Sequence, residues 1–129
     1  MDVRFDSTQV RGVVDAIDRA SRVAVPDVTK AVAVGARRVQ LDWRRRWTGH
    51  PHAPALPAAI TYDVFHSLRG PAADIGPDKN RRQGSLGNIF EYGTVKNAPI
   101  PGGAPAAEAE EPRFARALED LMVKALGLD

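Results

Sequence analysis

The chain has 129 residues, a formal net charge of +2 and no cysteine. It has room for one domain, and disulfides, thiolate catalysis and thiolate-held metals are excluded. Hydrophobic residues make up 43% but aromatics only 6%, which predicts a thin, alanine-rich core that a neighbouring subunit would help to complete.

The charged start, Met1 to Asp6, lacks the apolar stretch of a signal peptide, so the expectation is a protein made and used without export. No apolar run nears the roughly 20 residues of a membrane span, so no membrane partner is expected. Ser7 reads as an N-cap for a short helix over 8–21, with Val10, Val13, Val14 and Ile17 on one face. Pro26 followed by Asp27 reads as the first turn of a longer helix over 26–47. Val28, Val32, Val39, Trp43 and Trp47 mark its buried face, with small Gly35 and Ala36 between them.

Glycine and prolines over 48–54 end that helix. The β-branched and aromatic run over 59–65 predicts a strand with Ile60, Tyr62 and Val64 on one side, and 69–77 predicts a second strand that closes a hairpin. Residues 78–86 predict a mobile polar loop. Residues 86–92 form a short helix or a strand, between which periodicity does not choose. The prolines and glycines over 98–105 place a second mobile loop near 96–111. A last helix opens around Glu110-Glu111-Pro112, presents Phe114, Leu118, Leu121, Met122 and Ala125 on one face, and stops at Gly127. The fold class is therefore α+β: a single domain over 1–129, with long N-terminal helices and a C-terminal helix packed on a small, mainly antiparallel sheet.

Little in this order carries chemistry. His50 and His52 stand two apart with no acidic neighbour in sequence, too few ligands for a metal, and His66 is distant. Glu91 is the one acid set in an apolar segment; alone it lacks a catalytic partner, and a structural role, accepting backbone N–H groups or pairing with an arginine, fits it better. Ser85 lacks a nucleophile-elbow context, and neither Gly84-Ser85-Leu86-Gly87-Asn88 nor Gly102-Gly103 has phosphate-loop spacing. No catalytic residue, cofactor or metal is expected.

Charge distribution says more. The overall balance is too even to require nucleic acid, yet Arg37, Arg38, Arg44, Arg45 and Arg46 cluster, Arg81 and Arg82 form a second basic pair, and Glu108, Glu110 and Glu111 gather elsewhere. Such patches suit head-to-tail pairing between copies. The alternative is a small basic nucleic-acid-binding protein, with Arg44, Arg45 and Arg46 on phosphates and Trp43 and Trp47 stacked on bases. The four-residue spacing of the tryptophans continues the valine stripe, which favours a core role for them.

The order of a long early helix, a β segment ending Asp74-Ile75-Gly76-Pro77, then Phe90-Glu91-Tyr92-Gly93-Thr94, a proline-rich stretch, and Pro112-Arg113-Phe114 leading to Ala117-Leu118 resembles the tail-completion, or neck, proteins of long-tailed bacteriophages. The likeness covers about residues 26–126. Ile75 stands where the family usually has valine, and Arg113 separates the usual Pro-Phe pair. The resemblance implies a non-enzymatic virion protein of the head–tail junction. It implies homo-oligomeric rings, usually of six, seated between the connector or stopper and the tail terminator or tail tube, with DNA passing nearby in the lumen. It marks Gly76, Pro77, Glu91, Gly93 and Phe114 as motif residues.

Overall fold

The computed structural model describes residues 3–6 and 18–127, with side chains from residue 25 onward. The elements in chain order are β1 (Val3–Asp6), α1 (Asp18–Trp47), a 3-10 turn at Pro57–Ala59, β2 (Ile60–Ser67), β3 (Gly70–Pro77), a second 3-10 turn at Gly84–Leu86, α2 (Gly87–Tyr92) and α3 (Gly103–Ala125). The class is α+β, as the sequence predicts.

The three strands form one antiparallel sheet in the order β1-β3-β2. The hairpin of β2 and β3 pairs Tyr62 with Ile75 and Val64 with Ala73, so these residues share one face of the sheet with Ile60. That face meets α1, and Ile60, Ala73 and Ile75 are fully buried. β1 is an addition to the expected hairpin: it pairs with the far edge of β3, Val3 opposite Ile75, and makes β3 the central strand. Ala72 points to the opposite face from Ala73 and Ile75 and is sealed as well, while Asp74 on that face is exposed.

Helix α1 buries Val28, Val32, Ala36, Val39, Trp43 and Trp47, spaced by three or four residues, against the sheet and against α3. α3 contributes Ala106, Phe114 and Leu118 to the same core. Among the described residues no helix is long and apolar enough to cross a membrane.

Two helix boundaries correct the sequence reading. α1 does not begin at Pro26: it runs unbroken from Asp18, with Pro26 inside it. The part of the expected 8–21 helix before Asp18, with its Ser7 cap, lies outside the described residues. α3 does not open at Glu110: it starts at Gly103 and carries Pro112 inside it. The expected irregular loop over 96–111 therefore ends at Gly102. In both helices proline forfeits one i→i−4 hydrogen bond, a cost of about 3 kcal/mol; in α3, burial of Ala106 and Glu110 before Pro112 and of Phe114 and Leu118 after it offsets that loss. The short segment near 86–92 is helical. The polar loop over 78–86 is a tied turn, with the Arg81 N–H on the Asp78 carbonyl at 3.0 Å and the Gly84 N–H on the Arg81 carbonyl at 3.0 Å.

Candidate functional site

Of the motif residues, Glu91 and Gly93 meet at one junction, where α2, the 93–102 segment and the start of α3 rest on the last turns of α1. Glu91 is buried there. Its Oε1 accepts the backbone N–H groups of Gly102 and Gly103, both at 3.0 Å, and Oε2 accepts that of Ala104 at 3.4 Å. These are the orphan donors of the first turn of α3, whose own N-cap residue, Gly102, has no side chain to offer. A carboxylate placed there also meets the positive end of the helix dipole. Glu91 thus has the structural role the sequence predicts, and its oxygens are occupied by backbone.

Beneath that turn lie the tryptophans. Trp47 Nε1 donates to the Ile100 carbonyl at 2.7 Å, and the Ile100 N–H donates to the Phe90 carbonyl at 2.6 Å. Trp43, Trp47, Phe90 and His50 form a chain of edge-to-face rings with centroids 4.7 to 5.5 Å apart. A Cβ on Gly103 would stand 2.6 Å from the Trp43 ring, so only glycine lets α3 begin this close. Gly93 ends α2 with φ +74, a conformation that side chains rarely adopt, and its N–H returns to the Ile89 carbonyl at 2.8 Å. Thr94 Oγ1 then accepts the Asn97 N–H at 3.1 Å and closes the turn. Phe114 is buried in the core, and Gly76 and Pro77 are buried at the end of β3, where the following Asp78 N–H bonds the Ala59 carbonyl at 2.8 Å.

The basic cluster does not form one open patch. Arg44 turns inward: its Nε and Nη2 donate to the Ile60 carbonyl at 3.2 and 2.8 Å, beside buried Gln40, whose Nε2 reaches the same oxygen at 3.0 Å. These bonds make it a tie between α1 and β2. Arg44→Ala should lower stability by about 1 kcal/mol, because Gln40 still satisfies that carbonyl. Arg44→Lys should recover little of the loss, since an ammonium cannot reproduce the two-pronged contact; urea denaturation reads both.

Arg45 and Arg46 are exposed but share Asp42, at 2.5 and 3.2 Å. Burial pushes the Asp42 carboxyl up, but hydrogen bonds and positive charge from the two arginines outweigh it and hold the group below the ordinary carboxylate range. A depressed folded-state value means that this contribution is complete above the unfolded carboxylate range and is lost as pH falls through the folded value. Asp42→Asn should therefore cost stability near neutrality and nothing in strong acid; urea midpoints compared at the two ends check this.

Arg38 pairs with Glu110 at 3.2 Å. Glu110 is buried with Oε2 unbonded, 4.0 Å from Arg113. The acidic cluster is thus split, with Glu110 in the α1–α3 seam and Glu108 and Glu111 exposed. Glu110 lies four residues from both Ala106 and Phe114, a spacing that puts it on the buried stripe and that the sequence already displays. Arg37 and Arg82 are exposed, and Arg81 reaches Asp78 at 3.8 Å.

Both tryptophans are buried, which removes the base-stacking element of the nucleic-acid alternative. His50 Nδ1 accepts the His52 N–H at 3.2 Å, and His66 Nε2 stands 3.3 Å from Thr29 Oγ1. Among the described residues no three His, Asp or Glu side chains gather as a metal site. An open polar cleft of about 670 Å³, lined by Thr61, Asp63, Asp74, Asp78 and Ser85, escaped the sequence reading. Asp63 and Asp74 face each other across β2 and β3, a pairing that only the strand register reveals. Comparison of the chain with family models, with curated proteins and with solved structures returned no match.

Proposed function

We propose that the chain is a structural subunit of the head–tail junction of a long-tailed bacteriophage, assembling as a ring between the head connector and the tail. The observation that carries this reading is the junction around Glu91. The residues of the resemblance there all serve as scaffold. Glu91 caps α3, Gly93 and Thr94 turn the chain, and Gly102 and Gly103 admit the helix onto Trp43. A motif used up in building a scaffold is what an assembly protein needs, whereas an enzyme keeps polar groups open to a substrate.

The surface agrees with that use. Leu68 at the hairpin tip and Val95 in the loop after α2 are fully exposed, and Tyr92 and Ile100 also stand in solvent. Apolar side chains held out on loops suit contacts made on assembly.

Mass spectrometry of purified virions, followed by location of the chain in a reconstructed neck, tests the proposal. Ring density between connector and tail tube is the expected result. Absence of the chain from purified virions sinks it.

A further inference from the structure

We infer that the seam between α1 and α3 is the receptor for the outer face of α3 from a second copy of this chain, so that copies join head to tail with their α3 helices running in the same direction. This deepens the proposed ring by naming its contact, and rests on that reading only for the need to self-associate.

The two helices are antiparallel: Arg38 meets Glu110 mid-way, Arg46 lies level with Ala106, and Asp27 lies level with Leu121. Along one side of their contact run two adjoining clefts of about 330 and 440 Å³ that share Arg38, Glu110 and Arg113. The first is basic. Arg38, Arg45, Arg46 and Arg113 against Asp42 and Glu110 leave two positive charges in excess, and each of these arginines is held near a carboxylate. The second has an apolar lining of Ala31, Val34, Ala117 and Leu121 edged by the opposite charges of Asp27, Lys30, Asp120 and Lys124, and Val34 and Leu41 are half exposed along the seam.

This site is incomplete in one copy. Glu110 Oε2 is buried and accepts no hydrogen bond among the described residues. A buried carboxylate oxygen left open is costly, and a donor from outside reaches it only by displacing the side chains that seal it, such as Arg113 at 4.0 Å. A phosphodiester backbone brings acceptors only, so the arginines alone would welcome it and Glu110 would not. A protein surface with carboxylates for the arginines and an N–H group for Glu110 satisfies both.

The far side of α3 is such a surface. By helical spacing Glu108, Glu111 and Glu119 project away from α1, and all three are exposed. Arg116, also exposed, stands beside that ridge and carries the kind of donor that Glu110 lacks. Beyond Glu119 the same side turns apolar, with Val123 and Leu126 exposed and Met122 half-buried. Groove and ridge therefore share one trend along α3: arginine and acid predominate toward its start, and apolar side chains gather toward its end. Only a parallel overlay puts acid on arginine and apolar on apolar. A contact between two different patches of one chain is heterologous and closes into a ring or grows without end.

Light scattering of the full chain across concentration and salt tests this, with circular dichroism as a check of folding. Wild type should form oligomers above its 14.0 kDa monomer mass that loosen as salt rises. Glu108→Lys with Glu111→Lys, and separately Arg45→Glu with Arg113→Glu, should each weaken association at least tenfold, and an equimolar mixture of the two should reassemble. If either charge reversal unfolds the chain, Glu108→Gln with Glu111→Gln and Arg45→Ser with Arg113→Ser replace them, each expected to weaken association. Wild type that stays monomeric throughout, oligomers indifferent to both sets, or reversed variants that fail to reassemble when mixed would each overturn the inference. Oligomers that survive both sets leave the neck role standing, while charge-dependent oligomers of a chain missing from virions leave only this contact.

Discussion

Glu91→Ala should lower the unfolding free energy by about 3 kcal/mol, a large share of the 5–15 kcal/mol typical of a domain. An ordinary side-chain N-cap is worth about 1 kcal/mol. Glu91 does more than such a cap, because it is charged, buried, and accepts from three backbone donors at once. Hydrogen bonds to charged groups contribute about 1.5–3 kcal/mol, and donors left unpaired away from water add their own penalty. Glu91→Gln keeps one acceptor oxygen in place but gives up the charge at the helix dipole, and should cost about half as much. Equilibrium urea denaturation separates the two. Equal losses for Ala and Gln would show that charge, rather than the acceptor, holds α3; no loss for Ala would discard the capping account.

Gly103→Ala should destabilise by about 2 kcal/mol, and in a Trp43→Leu background the same change should become neutral or favourable. Two effects compete. Alanine is better than glycine in a helix by about 1 kcal/mol. Against that, the new Cβ would sit 2.6, 2.8 and 2.9 Å from three atoms of the Trp43 ring, where ordinary contact needs about 3.5 Å. Trp43 is fully enclosed and cannot retreat, so the start of α3 must lift, stretching the bonds that Glu91 makes. Overpacking of this kind costs about 1–3 kcal/mol and defeats the propensity term. Trp43→Leu alone should cost about 3 kcal/mol through the cavity it leaves, but it removes the obstacle. The reversal of sign in the double-mutant cycle, read from thermal or urea unfolding, is the diagnostic. A Gly103→Ala cost that persists unchanged without the indole would place its origin elsewhere.

What was legible in the sequence followed from repetition. The stripe from Val28 to Trp47 repeats every three or four residues, and all of it is buried. The alternation of Ile60, Tyr62 and Val64 marked the inner face of β2, and turn residues bounded the hairpin. Glu91 stood out because an acid in an apolar run must find donors. The illegible parts were those decided by residues far away in the chain. Pro26 and Pro112 carry the local mark of a first helical turn, yet both lie inside helices; around Pro112 the burial of Ala106, Phe114 and Leu118 is worth more than one lost hydrogen bond. The start of α3 was hidden because its cap comes from another element, 11 to 13 residues back. β1 was hidden because four residues gain strand identity only from the edge of β3. Arg44 looked like surface charge in a cluster, and only the packing of α1 on β2 turned it inward.

The borrowed cap also governs the order in which this chain can fold and breathe. Helix-terminal amides normally fray first and exchange their hydrogens fastest. Here the amides of Gly102 and Gly103 are held by a side chain that is itself in place only when α2 has docked. They should exchange as slowly as the mid-helix amides of Phe114 and Leu118, in one cooperative unit with α2. A helix tethered in this way has no free-standing intermediate: α2 and the first turn of α3 open together or not at all.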